Sequence, residues 1–286
     1  MSVLAHKWVA SGALNGQQAF ARARVCVVLH GIMGQGRNWM QAAKALVDAV
    51  PTYKVLLVDH RGHGANGATI PGPHDVDACA RDVAATVAAA TGAGAATPSD
   101  ASALNEGGGA PLVIGHSFGG KVALAYAAGE PEPPTKTWLL DSNPGRGAAG
   151  GGTAAVLDAL AAASASGYAT KRDAVAALVG RGLDAPTAQW LAMTTETRGG
   201  EVFFAYDVDC VRDLYDAYLA TDLGDAAREL AADGRFGLVA AGRGGMGLEG
   251  SDLVTHALPD AGHNVHVDDL PGLLDILVAQ NKTDWA

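Results

Sequence analysis

"PLVIGHSFGGKVALAYAA" (residues 111–128) passes from a short apolar run through Gly115, Ser117 and Gly119 into an Ala-rich helical stretch. The spacing Gly-x-Ser-x-Gly between a strand and a helix forms a sharp turn that holds the serine strained, with its hydroxyl exposed, while the small flanking residues let the chain pack closely. Ser117 is therefore the candidate nucleophile. A serine that only caps the next helix does not account for the strand, the Gly spacing and the helix together.

The strand within this stretch is one of a series. Short apolar runs recur at 24–30, 54–60, 111–117, 137–141, 236–242 and 253–259. Each is continuous rather than alternating, as strands buried on both faces of a parallel sheet require. Helical patterns lie between them at 37–49, 75–91, 117–128 and 265–280. Alternation of this kind predicts an α/β fold with a doubly wound, mostly parallel sheet, in which ligands bind beyond the carboxyl ends of the strands. Residues 145–235 break the rhythm with helical segments and no expected strand. They read as a helical cap inserted into a core formed by 1–144 and 236–286. Its Trp190, Met193, Phe203, Phe204 and Tyr206 read as packing residues before they read as the lining of an apolar acyl pocket.

A serine nucleophile needs a base, and "LPDAGHNVHVDDLPGLL" (258–274) supplies His263 after the last apolar run and before the last helix. His266, three residues on, is expected on that helix or at the pocket rim. His60, His63 and His116 fall in turns near strand ends and are weaker candidates for the base. For the acid, "TWLLDSNPG" (137–145) ends a strand on Asp141, which can reach the histidine from a neighbouring strand. Glu249 and Asp252 are the alternatives, because an acid commonly follows the penultimate strand, although Arg243 and glycines stand there first. An Asp that merely caps a turn is the remaining reading.

The tetrahedral intermediate needs backbone donors. Phe118, directly after the nucleophile, offers one. "LHGIMGQGRNW" (29–39) offers the other from a loop that Gly31 and Gly34 allow to turn back, with Ile32 preferred over Met33. "VDHRGHGAN" (58–66) has an Arg and two His, yet no metal-ligand spacing accompanies them, and a turn held by side-chain hydrogen bonds is the expectation. No phosphate-cradling or dinucleotide-binding motif occurs, so no cofactor and no metal are expected.

Composition sets outer bounds. The 286 residues suffice for one large core with an insert. A net charge of −10, from 20 basic and 30 acidic residues, argues against nucleic acid or an anionic membrane as the main partner. Cys26, Cys79 and Cys210 lack paired spacing and read as buried free thiols of a reducing compartment. No apolar stretch approaches the ~20 residues of a membrane span, and no secretory signal is visible. A soluble intracellular protein is expected, in cytoplasm or an organelle, with its oligomeric state undetermined. The Gly/Ala/Ser-rich tract 92–110 reads as a surface-loop insertion.

"LHGIMG", "DHRGHG", "GHSFGGK", the Asp after the next strand and "AGHNVH" together resemble the α/β-hydrolase superfamily. The resemblance is to its capped acyl-esterase branch, which includes α/β-hydrolase domain-containing protein 11, small bacterial esterases and plant plastid members. It implies the α/β-hydrolase fold, a Ser–His–Asp triad and hydrolysis of small carboxylic esters or thioesters through an acyl-enzyme. In that branch the acid can follow the strand after the nucleophile helix, which favours Asp141. The same triad also serves carbon–carbon bond hydrolysis, and the same fold serves small-molecule receptors with a slow triad. Turnover lost on Ser117→Ala would mark the enzyme, and ligand-dependent partner binding that survives that change would mark the receptor.

Overall fold

The computed structural model describes residues 1–14, 16–92, 110–147, 152–243, 246, 248 and 251–280. Among them a seven-stranded sheet has the order β1-β3-β2-β4-β5-β8-β9. Its strands are β1 His6–Ala10, β2 Arg24–Leu29, β3 Tyr53–Val58, β4 Leu112–His116, β5 Lys136–Leu140, β8 Phe236–Ala241 and β9 His256–Leu258. All neighbours are parallel except β1, which runs antiparallel to β3. β3, β4 and β8 are buried at every position, which is why their sequences are largely continuous apolar runs rather than alternating ones.

Helices cover both faces. On one side Val28, Tyr53, Ile114 and Trp138 pack against α2 (Met40–Ala49) and the last helix, Leu270–Gln280. On the other, Val27, Leu56 and Val113 pack against α3 (Val76–Thr91) and α4 (Phe118–Gly129). The Asp75 side chain caps α3 by accepting from the Ala78 N–H at 2.6 Å, and Gly92 ends it in the left-handed region. Helix α4 is buried almost all round, as its Ala-rich, apolar sequence allows.

Between β5 and β8 lie α5 (Gly152–Ser164), α6 (Lys171–Val179), α7 (Ala185–Leu191), α8 (Val208–Ala220) and α9 (Gly224–Ala232). Contrary to the expectation of helices alone, this segment also holds a β-hairpin of β6 (Thr195–Arg198) and β7 (Glu201–Phe204). Its turn is Gly199-Gly200, both at positive φ, the conformation that a two-residue hairpin turn demands. Leu157, Leu178, Leu191, Phe204 and Tyr206 form the segment's own cluster, which takes in Met33 from the core. Helix α9 instead packs Ala227 and Leu230 with Leu124, Leu139 and Phe236 of the core. No helix among the described residues is long and apolar enough to cross a membrane. Cys26, Cys79 and Cys210 are free and buried.

Candidate active site

Three non-glycine residues have positive φ among those described: Met33 at 60°, Ser117 at 52° and Asp141 at 43°. All three follow strands of the sheet at its carboxyl end. Strain of this kind persists only where surrounding contacts over-determine it, and it concentrates at functional sites.

Ser117 follows β4 and precedes α4. Its N–H donates to the Leu140 carbonyl at 3.0 Å, and its own carbonyl accepts from Ser142 Oγ at 2.6 Å. The turn needs its glycines: a Cβ on Gly115 would lie 2.2 Å from the Gly119 carbonyl oxygen, and one on Gly119 would lie 2.4 Å from that of Leu29. In the sheet order β2 and β4 are neighbours while their outgoing connections diverge, so a crevice opens between their ends. Gly31 and Ser117 flank it, and a Cβ on Gly31 would stand 3.2 Å from that of Ser117.

Asp141 follows β5, the next strand along, and is fully buried. Its Oδ2 meets His263 Nδ1 at 2.6 Å. Its carboxylate also accepts from the N–H groups of Ala241, at 3.2 Å, and Met246, at 3.1 Å to the nearer oxygen. The last residue of β8 and the stretch after it, where an acid commonly stands, thus contribute backbone donors to a carboxylate that follows β5. Asp252 is exposed, and Glu249 lies outside the described residues.

His263 follows β9, and its side chain is 36% exposed. Its carbonyl accepts from His116 Nε2 at 2.7 Å, which requires the proton of His116 to sit on Nε2. Burial, with His263 and His266 close by, holds His116 well below the ordinary histidine range, so it is neutral. His266 lies in a short helix, Val265–Asp268, buried and stacked on Trp39 at 3.8 Å between centroids. Neither Ser117 Oγ nor His263 Nε2 makes a hydrogen bond among the described residues.

The loop after β2 rests on three histidines. His30 Nδ1 lies 2.8 Å from the Gly31 carbonyl, while its Nε2 accepts from the His60 N–H at 3.0 Å. His60 Nε2 donates to the His30 carbonyl at 3.1 Å. His63 Nδ1 donates to the Arg61 carbonyl at 2.8 Å, and its Nε2 accepts from the Met33 N–H at 2.9 Å. Burial is the main cause that pushes His30 down to about 4 and His63 to about 3, and takes His60 well below its usual value. All three are neutral near pH 7, each with its tautomer set by these partners. The lone pairs of His30 and His63 are committed, so the trio is a hydrogen-bonded turn rather than a ligand set; no group that could hold a metal occurs among the described residues.

This arrangement corrects one expectation. Met33 is not a free oxyanion donor, because its N–H is committed to His63 while Tyr206 OH donates to its carbonyl at 2.8 Å. The N–H groups of Ile32 and Phe118 have no acceptor among the described residues. His63 and His116 are the residues whose part the sequence reading missed. The available signal was their place beside glycine in "RGHG" and "GHSFG". Phe204 and Tyr206 are buried in packing, as expected, whereas Met193 is 46% exposed.

The chain is 32% identical over 119 residues to lipase LipV of Mycobacterium tuberculosis, a match covering 42% of this chain and 37% of that one. It is 31% identical over 113 residues to the putative carbamate hydrolase RutD of a Caulobacter species, covering 39% of this chain and 35% of the relative. The chain thus matches little more than a third of the length of these curated relatives. Among solved structures it is similar to a marine microorganism esterase, with a TM-score of 0.70 at 17% identity, over 98% of this chain and 99% of that one. The family model described as the alpha/beta hydrolase family matches residues 26–274. The strand order, the strained serine turn and a match over most of the chain lead to one assignment: this protein belongs to the alpha/beta hydrolase family.

Proposed function

We propose that the chain is a serine hydrolase of small carboxylic esters or thioesters, of the capped acyl-esterase branch, with Ser117, His263 and Asp141 as its triad. The observation that carries this reading is the 2.6 Å contact of His263 Nδ1 with buried Asp141. It keeps the Nδ1 proton on the acid side and leaves Nε2 as an acceptor. In the first half-reaction His263 Nε2 takes the Ser117 hydroxyl proton as Oγ attacks the substrate carbonyl carbon. The N–H groups of Ile32 and Phe118 hold the oxyanion, and removal of one such donor costs about 3 kcal/mol in related chemistry. Collapse expels the alcohol or thiol, which leaves with the proton from His263. Water then loses a proton to Nε2 as it attacks the acyl-serine, and collapse releases the acid while His263 returns the proton to the departing Ser117 Oγ.

Asp141 orients His263 and stabilises the imidazolium, and the amides of Ala241 and Met246 fix that carboxylate in turn. His116 is a positioning residue: its neutral ring holds the backbone of His263. The Ser117–His263 hydrogen bond forms in this scheme when substrate binds. The segment from Gly145 to about α8 acts as a cap, seated on the oxyanion loop through Tyr206 and Met33.

Steady-state hydrolysis of p-nitrophenyl acetate, butyrate and octanoate tests the proposal. Wild-type turnover that disappears in Ser117→Ala is the expected result, and equal turnover by both proteins would refute it. A second reading, carbamate cleavage by the same residues, draws support from the match to the Caulobacter protein. An N-aryl carbamate cleaved faster than its ester counterpart would favour it.

A further inference from the structure

Beside the site, where the loop after β2 turns into α2, lies a cavity of about 590 Å³. One wall is the one-turn 3-10 helix Gly36–Trp39 with α2, and the other is the start of α6 with the end of α7. We propose that this groove is an anion subsite of the same active centre, for small substrates carrying one or more negative charges away from the scissile bond. The proposal rests on the hydrolase reading above and adds the substrate class to it.

The charge of the lining is the first argument. Arg37, Lys44 and Lys171 line the groove and no carboxylate does, although acidic residues outnumber basic ones by 30 to 20 in the chain. Among the described residues none of the three cations has an ion pair. Lys171 is the first residue of α6, whose positive dipole end adds to the potential. The acid nearest to it in sequence, Asp173, is engaged in the helix cap, where its Oδ2 accepts from Thr170 Oγ at 2.7 Å. Gln35, Asn38 and Gln41 add carboxamides that can donate to phosphate or carboxylate oxygens. Met40 and the exposed Met193 give the same groove an apolar side. Arg37, Lys44 and Lys171 are exposed, and three like charges without counterions around one groove raise the local concentration of anions there.

Position is the second argument. Gln35 is four residues beyond Gly31, which borders Ser117, so the groove starts within about 14 Å of the nucleophile loop even for a fully extended chain. Its wall is joined to the catalytic pair by ring contacts. Trp39 stacks on His266 and lies 5.9 Å from His116, which in turn lies 4.7 Å from His263. An extended small molecule can therefore place its carbonyl at Ser117 and its charged end among the cations. Two kinds of substrate share this chemistry: an acyl group on a phosphate-bearing thiol, and an acyl group that itself ends in a carboxylate.

Paired substrates tell them apart. Butyryl-coenzyme A is compared with S-butyryl-N-acetylcysteamine, and mono-p-nitrophenyl glutarate with p-nitrophenyl butyrate, in wild type and in the triple variant Arg37→Gln, Lys44→Gln, Lys171→Gln. We expect kcat/KM to favour the charged member of at least one pair about tenfold or more at low salt. Added salt should shrink that preference, because exposed charges are screened. In the triple variant the ratio should collapse toward one through KM, and Lys171→Glu alone should lower it part of the way. A response of the coenzyme A pair assigns the anion to the leaving group, and one of the glutarate pair assigns it to the acyl group. Ratios near one in wild type, or an equal loss on charged and neutral members, overturn the proposal. If no member of either pair is hydrolysed, the hydrolase reading fails separately. Calorimetric binding of coenzyme A and of glutarate to the wild-type protein then decides the subsite: binding lost in the triple variant supports it, and no binding of either refutes it.

Discussion

The two halves of the site are held by different means. Asp141 and His263 meet through a buried carboxylate that gathers donors from β8 and its following loop. The Gly31–Gly34 loop, by contrast, lies on His30, His60 and His63, which burial keeps uncharged. In the proposed mechanism the acid–base half uses a carboxylate where an imidazolium must form. The oxyanion half uses neutral rings as paired donors and acceptors, which fix backbone N–H groups without adding a charge that competes with the oxyanion. One half should therefore fail chemically when altered, with the fold intact, and the other should fail through geometry and stability together.

The largest effect is expected on the charged half. Asp141→Asn should lower kcat by about 10⁴ by disturbing the His263 tautomer, with KM little changed. Asp252→Asn, on an exposed residue, should leave kcat near wild type. Kinetics of both variants on p-nitrophenyl butyrate check this, and the reverse pattern would move the acid to the loop after β8.

His63→Leu separates the halves. It removes the acceptor of the Met33 N–H, and a buried donor left unpaired costs about 1–3 kcal/mol. We expect kcat to fall about 10- to 100-fold together with a lower thermal midpoint, whereas Asp141→Asn should fall much further in rate for its change in midpoint. Equal ratios of rate loss to stability loss in the two variants would erase the distinction.

Acid should find the neutral half first. The folded values of His30 and His63, about 4 and about 3, lie below the ~6.5 of an exposed histidine. Between these limits the unfolded chain binds more protons, so stability rises with pH there. The contribution is complete above about pH 6.5 and is lost as pH falls toward the folded values, by at most about 1.4 kcal/mol per pH unit for each group. Thermal unfolding between about pH 7.5 and 4.5 should show this slope, and His63→Gln should make it shallower. An unchanged slope would mean that His63 takes no part.

The smallest effect concerns neither half. Buried Lys121 donates to the carbonyls of Gly145, Tyr218 and Thr221 at 2.8, 2.6 and 2.9 Å, tying α4 to the chain after β5 and to the end of α8. Burial pushes its ammonium down to about 8. Lys121→Met should lower the thermal midpoint while changing kcat on p-nitrophenyl acetate only a few-fold. A loss comparable to that of His63→Leu would make Lys121 part of the site.

The charged half was legible in the sequence because its residues sit where the backbone pattern changes. Ser117 is marked by the strand, glycines and helix around it, His263 by its place after the last strand, and Asp141 by ending the strand beside Ser117. The supporting half was legible only as a loop. Whether Met33 or Ile32 presents its N–H depends on which one His63 reaches across 30 residues, and no local pattern records that choice. The sheet edge was missed for a related reason: β1 has three exposed residues of five, only Val9 buried and no continuous apolar run, and is specified by pairing with β3. The β6–β7 hairpin pairs a polar strand, Thr195–Arg198, with the short Glu201–Phe204, and only Gly199-Gly200 signalled it. Helix α9 carries its apolar residues at helical spacing, but it lies within a segment read as insert although it packs on the core.

If Ser117 is a nucleophile driven by His263 and Asp141, it should react with a fluorophosphonate, which adds to an activated serine. Intact and peptide mass spectrometry of the treated protein should find one label per chain, on the peptide containing Ser117, absent in Ser117→Ala and formed far more slowly in Asp141→Asn. Ester turnover that persists with Ser117 unlabelled, or a label on another residue, would contradict that role.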